Sequence, residues 1–166
     1  MPNGRFLRYY WQIRTLLNEN IHLLDIEHPA YEICQDYETE YAGTFRASVV
    51  FENGSRLIVR FSLRADEDIE EYGYAYQYLD PQGERIFRYD DASHHPDVST
   101  HPHHLHRGPE PSGRGRDKAC ALDIQRVDFA TIFAKILESG VFVRSDGFSR
   151  PKGSKAAKAA TTNPHI

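Results

Sequence analysis

The stretch TFRASVVFENGSRLIVRFSLR, residues 44–64, leaves a folding chain little choice. Phe45, Ala47, Val49 and Phe51 alternate with mostly polar neighbours, and Leu57, Val59, Phe61 and Leu63 do the same beyond Glu52-Asn53-Gly54-Ser55. Period-two alternation marks a strand with one buried face. Residues paired across a hairpin share a face, so a two-residue Asn-Gly loop, which sets Val49 against Ile58, is disfavoured by parity. A three-residue loop, Glu52-Asn53-Gly54, instead pairs Val49 with Leu57, Ala47 with Val59 and Phe45 with Phe61. Gly54 then supplies the left-handed position of a bulged turn.

A second hairpin follows the acidic block Asp66-Glu67-Asp68 and Glu70-Glu71. In YGYAYQYLD, Tyr72, Tyr74, Tyr76 and Tyr78 share one face, and Asp80-Pro81-Gln82-Gly83 is a turn signal. A three-residue loop here pairs Tyr78 with Ile86, Tyr76 with Arg88 and Tyr74 with Asp90. Arg88 and Asp90 are thereby expected beside the tyrosines. Helical spacing of Phe6, Tyr9, Tyr10, Ile13, Leu16 and Leu17 predicts an N-terminal amphipathic helix. Phe129, Ile132, Phe133, Ile136 and Leu137 predict a second helix, with Asp128 as N-cap and Gly140 as stop. Residues 21–38 read as an extended segment or two short strands, and 141–143 as a short edge strand. The expected fold is α+β: an antiparallel sheet of four to six strands with an N-terminal and a C-terminal helix on one face.

Its 166 residues suffice for one domain with a core and are too few for two. The domain is expected over 1–148, with 107–118 (three Gly, two Pro) a mobile loop and 149–166 a disordered basic tail. A formal charge of −4 argues against a generally nucleic-acid-binding surface but permits a local basic site. Cys34 and Cys120 are the two cysteines, far apart and without CxxC spacing, so neither a disulfide framework nor a cysteine zinc site is implied. No signal peptide and no membrane-spanning apolar run is legible. A cytoplasmic protein with no membrane partner is expected.

Residues 87–106 read FRYDDASHHPDVSTHPHHLH, and six of the nine histidines fall within 94–106. Pro96 and Pro102 forbid a continuous helix and hold His95 and His101 extended. One reading is metal binding by three imidazoles with Asp90 or Asp97: His103 and His106 with His94 or His95. A second is proton transfer without metal. One imidazole deprotonates an RNA 2′-hydroxyl, another protonates the leaving 5′-oxygen, and Arg88 holds the phosphorane. Tyr74 or Tyr76 then binds phosphate or stacks on a base. The bland alternative is a solvated loop with an ordinary Arg88–Asp90 ion pair. The proton-transfer reading uses more of the sequence and requires no cofactor; a divalent metal is the alternative.

The blocks FRYD, HHP and PHHxH, in that order, resemble the signature of the TumE-like toxin family, and the likeness covers most of residues 5–140. The resemblance implies the toxin of a type II toxin–antitoxin pair, cytoplasmic, neutralised by a cognate antitoxin protein and directed at nucleic acid. By position, Arg88, Tyr89, Asp90, His94, His95, His103, His104 and His106 carry the signature. Asp91 stands where Asn is usual, Ser93 for Pro, His101 for Phe and Leu105 for Lys. The last change is expected to remove a phosphate-seeking cation from the site, and Asp91 to add repulsion there. The function expected is a metal-independent ribonuclease with Arg88, Asp90, His94, His95, His103, His104 and His106 catalytic and RNA as the target. The alternative is a non-catalytic module whose histidine loop coordinates a metal or docks a partner. Self-association is left open.

Overall fold

The structure, a computed structural model, describes residues 4–25, 31–37, 42–64, 68–113 and 115–139, with 31–37 and 42 as backbone only. Helix α1 (Gly4–Glu19) leads into a short 3-10 turn at Ile21–Leu23. Seven strands follow: β1 (Tyr31–Tyr37), β2 (Ala42–Val50), β3 (Arg56–Arg64), β4 (Glu70–Leu79), β5 (Arg85–Asp90), β6 (His104–Arg107) and β7 (Ala119–Cys120). Helix α2 (Phe129–Glu138) closes the described chain. The strands lie in the sheet in chain order, each antiparallel to the next. This is the expected α+β class, and the two-residue β7 takes the strand number to seven. The edge strand expected at 141–143 and the tail lie outside the described residues. No helix among the described residues is long and apolar enough to cross a membrane.

Both helices cover one face of the sheet. Phe61 meets Tyr9 of α1 edge-on, while Phe45 and Phe51 meet Phe129 and Phe133 of α2. The β2–β3 hairpin has the register that parity demands, Val49 opposite Leu57, Ala47 opposite Val59 and Phe45 opposite Phe61. Gly54 takes φ +85° in its three-residue loop, a conformation that favours glycine. Asp128 caps α2 as expected, its side chain accepting a hydrogen bond from the Thr131 N–H at 2.8 Å.

The β4–β5 hairpin corrects the expected register. Its turn is the expected three-residue loop, Pro81-Gln82-Gly83: the Asp80 N–H donates to the Glu84 carbonyl, and the Asp80 carboxylate accepts from the N–H groups of Gln82 and Glu84; the departure comes one pair later. Leu79 then faces Arg85 but Tyr78 faces Phe87, so Ile86 is the extra residue of a bulge. The bulge reverses parity. Tyr76 pairs with Tyr89, Gln77 with Arg88 and Ala75 with Asp90. The physical reason is that Phe87 and Tyr89 now join Tyr76 and Tyr78 in the core, while the charged Arg88 and Asp90 avoid it. A second irregularity, between β3 and β4, falls at Gly73, with φ +57°. It puts Tyr72 on the open face, under the Arg64 guanidinium at 5.1 Å, and not in line with Tyr74 and Tyr76.

One member of the acidic block, half-buried, reaches into the helix-covered layer. Glu71 accepts hydrogen bonds from the hydroxyls of Tyr9 on α1 and Tyr76 on β4, and from the Phe129 N–H at the start of α2. This carboxyl ties two helices to the sheet. Burial outweighs its three donors and raises its pKa from the ordinary 4.5 to about 7. Between those values the folded chain holds a proton that the unfolded chain has released, so stability falls as pH rises. Urea unfolding of the wild type should give a stability lower at pH 8 than at pH 5 by about 2 kcal/mol from this group. Glu71→Gln, which cannot ionise, should lose that part of the slope; an unchanged slope would show that Glu71 is not its source.

Candidate functional site

The site begins at the end of β5. Alternation along a strand puts Arg88 and Asp90 on the open face and Tyr89 on the core face. After Asp90 the chain makes an arm, 91–103, and returns as β6, with His106 opposite Arg88 and His104 opposite Asp90. Cross-strand partners share a face, so both imidazoles join Arg88 and Asp90, while Leu105 turns into the core with Tyr89. Strand β6 is absent from the sequence expectation, although HLHR, with a leucine between two histidines, carries its alternation.

The arm is held by its own hydrogen bonds. The Val98 N–H donates to the His95 carbonyl and the His101 N–H to the Val98 carbonyl. Thr100 Oγ1 donates to the His103 carbonyl and accepts from the Leu122 N–H. Its near end lays His94 and His95 over the two strand histidines. Ring centroids of His94 and His95 both lie 4.8 Å from that of His104, and His104 lies 4.9 Å from His106. One ring nitrogen from each of the four falls within 4.8 Å of the others.

Beneath them lies Asp90, 1% exposed, with His104 at 0% and His106 at 2%. Arg88 Nε stands 2.8 Å from Asp90 Oδ2, His104 Nε2 2.9 Å from Oδ1 and His106 Nε2 3.7 Å from Oδ2. Oδ1 also accepts from the Ala92 N–H at 3.1 Å. Yet Arg88 Nε, Asp90 Oδ2 and His104 Nε2, all buried, complete no directed hydrogen bond. Carbonyl oxygens explain this for the histidine. His104 Nδ1 is 2.8 Å from the Pro102 carbonyl, and a carbonyl can only accept, so Nδ1 carries a proton. In the neutral ring Nε2 is then a bare lone pair. His106 repeats the pattern, with Nδ1 3.1 Å from the Lys118 carbonyl. Burial lowers the pKa of both His95 and His106, which favours neutral rings there.

Of the residues singled out in the sequence, Arg88, Asp90, His94, His95, His104 and His106 converge. His103 does not: its ring stacks on Tyr74, with Nδ1 2.8 Å from the tyrosine hydroxyl. The metal set anticipated from sequence therefore loses His103 and gains His104. Tyr74 and Tyr76 are buried on the core face, Tyr76 bound to Glu71, so neither is placed to stack on a substrate base. The reversed parity of β4–β5 accounts for both tyrosines. Two departures from the family signature also fall outside the cluster. Leu105 faces the core, so a cation is not missing from the site, and the Asp91 carboxylate accepts from the Gly73 N–H.

Sequence reasoning missed Arg85. Its side chain, 2% exposed, donates to both carboxylate oxygens of Asp117 at 2.6 and 2.7 Å and to the Gly108 carbonyl at 2.8 Å. The glycine-rich loop expected to be mobile is thus fastened to β5 near both ends. The fastening sets the Lys118 carbonyl and Asp117 Oδ2 each at 3.1 Å from His106 Nδ1. Its hydrogen bonds from Arg85 hold the Asp117 pKa down.

A family profile described as toxin TumE matches residues 16–139. No curated protein and no solved structure matches the chain.

Arg85→Ala should cost about 2 kcal/mol in urea unfolding, below the usual range for breaking a buried pair because Asp117 is 33% exposed. Hydrogen exchange should then quicken in 108–118 and in β6 before it does in β2 and β3. Uniform loosening of all strands would contradict this local role.

Proposed function

The chain belongs to the toxin TumE family, and on that premise we propose that it arrests growth by cleaving RNA at the histidine cluster and is silenced by a cognate antitoxin protein. The observation that carries the reading is the placing of Arg88, 30% exposed, at the junction of four imidazoles and an open arginine-bearing sheet face. The face opposite the helices presents Arg46 on β2 and Arg56, Arg60 and Arg64 on β3, all exposed. Arg46 and Arg60 stand directly opposite each other, and Arg60 is followed across the sheet by Ala75, Asp90 and His104. Like charges so paired repel unless something outside neutralises them, and a phosphate chain does so. At about 4.8 Å per strand, Arg60 is roughly 10 Å from Asp90. A single strand crossing this face meets Arg46 and Arg60 before the cluster, with Tyr72 on the same face for a base to stack on. The formal charge of −4 is compatible with such a site because the basic residues are gathered locally.

In the cleavage step the 2′-oxygen attacks the neighbouring phosphorus and the bond from phosphorus to the 5′-oxygen breaks. One proton leaves the 2′-hydroxyl and one is delivered to the 5′-oxygen. Arg88 offsets the charge gathering on the phosphoryl oxygens. If free imidazoles move the protons, His94 and His95 are the two that reach solvent, with His104 and His106 sealed behind them.

Purified wild type should degrade denatured cellular RNA, and Arg88→Ala should slow this at least about 100-fold. The double variant Arg46→Ala/Arg60→Ala should stay folded and bind single-stranded RNA more weakly. Its slope of log affinity against log salt should be shallower by about 1.4, two phosphate contacts at about 0.7 each. Absence of RNA cleavage by the wild type, or equal rates for wild type and Arg88→Ala, would sink the proposal.

A further inference from the structure

The structure assigns to His94, His95, His104 and His106 a binding site for one divalent first-row transition-metal ion of the imidazole-preferring kind, zinc or nickel before magnesium or calcium. The donors come from two separate elements, a sheet strand and the arm laid over it. This is how such sites are usually built, and it was not visible while all six histidines appeared to lie on one loop. Four ring nitrogens lie within 4.8 Å of one another. A tetrahedral ion at about 2.1 Å from each would hold them about 3.4 Å apart. The remaining contraction is at most about 1.4 Å. His94 and His95 stand on the arm and can supply it, whereas strand pairing holds His104 and His106.

Two further observations point to an ion and not merely to a crowd of rings. Backbone carbonyls of Pro102 and Lys118 take the Nδ1 protons of His104 and His106, an outer shell that leaves each Nε2 lone pair free for a metal. The buried His104 Nε2 has no hydrogen-bond partner and lies 2.9 Å from Asp90 Oδ1. A lone pair aimed at a carboxylate oxygen is repulsive unless a cation lies beside both. The competing arrangement is a second proton on His104, giving an imidazolium paired with Asp90. That arrangement accounts for one contact but gives no reason for three other imidazoles to gather round a cationic ring.

The fixed charges nearest the rings, Asp90 and Asp117 against Arg88 and Arg85, offset one another, with the exposed Glu110 farther out against Arg85. Four neutral imidazoles would then leave an ion's two positive charges at the mouth of the site, on the side of the exposed His94. A phosphodiester is the kind of group that meets them. That last role rests on the ribonuclease reading; the binding itself does not.

The test uses the full chain, purified without an affinity tag and stripped with a chelator. Calorimetric titration with zinc chloride should show one ion per chain with a dissociation constant in the micromolar range or below, and magnesium chloride should show none. Cobalt substitution should develop the visible absorption of a four-coordinate nitrogen site. His94→Ala/His95→Ala removes the two arm ligands without touching the buried pair. It should weaken zinc binding at least 100-fold, with the unfolding midpoint of the metal-free protein unchanged. His103→Ala should bind like wild type. Absence of stoichiometric zinc binding, or retention of it in the double variant, would overturn the assignment. If metal-free protein still cleaves RNA, the metal site fails as a catalytic device and the ribonuclease reading stands. If zinc binds as described and RNA is untouched, the ion site stands and the ribonuclease reading fails.

Discussion

A buried carboxylate, Asp90, organises this end of the molecule. Left alone in a low-dielectric setting, its charge would cost several kcal/mol. Arg88, two residues earlier on its own strand, and the Ala92 N–H meet it, and the imidazoles of His104, directly across the ladder, and His106, diagonally beyond it, turn their bare Nε2 atoms toward it. Bringing both imidazoles to it requires the chain to come back beside β5 in one register. A slip of one residue would bring Leu105 to the carboxylate and put both histidines into the aromatic core. The location of β6 and the inward face of the arm therefore follow from one demand. The same demand is why the cluster cannot be rearranged by small movements of single rings.

The sheet keeps two kinds of physics apart on its two faces. Toward the helices it is aromatic and close-packed; toward solvent it carries arginines and the imidazole cluster. Two local irregularities enforce the division. The positive-φ glycine at 73 moves Tyr72 out beneath Arg64, and the extra residue at 86 sends Arg88 and Asp90 out while Phe87 and Tyr89 go in. Bulges that re-aim side chains beside a site are a recurrent device of β-sheets. Here one lies just beyond the Asp80–Glu84 turn, where Leu79 faces Arg85 but Tyr78 faces Phe87.

What the sequence made legible was whatever a single period governs. The β2–β3 register follows from alternation on both sides of Gly54, and the start of α2 follows from an N-cap ahead of spaced apolar residues. The convergence of histidines near Arg88 and Asp90 was legible as composition. Which histidines would converge was not, because His103 and His104 differ by one place in a strand whose existence depends on a tertiary partner. In the second hairpin the three-residue turn was legible and the bulge at Ile86 was not, since an inserted residue leaves no mark in a strand until its partner is known. Arg85 and Glu71 were invisible for a related reason. A charged residue looks solvated in a sequence, and only the fold shows the carboxylate or hydroxyls that make its burial tolerable.

Glu71 and Asp90 make the last point together. They are carboxyls, Asp90 buried and Glu71 half-buried, on adjacent strands, facing opposite sides of one sheet. Around Glu71 stand two tyrosine hydroxyls and a backbone amide, all neutral donors, and its pKa is carried up to about 7. Such a group ties elements together and has nothing to offer a charged ligand. Around Asp90 stand a guanidinium and two imidazoles whose bare Nε2 atoms face it, under an arm that opens to solvent at His94. The same functional group is thus a fastener on one face and the anchor of a reactive centre on the other. The distinction lies in whether its partners have donor or acceptor capacity left over once the carboxylate is satisfied. At Glu71 none is left, whereas at Asp90 the four imidazoles retain theirs.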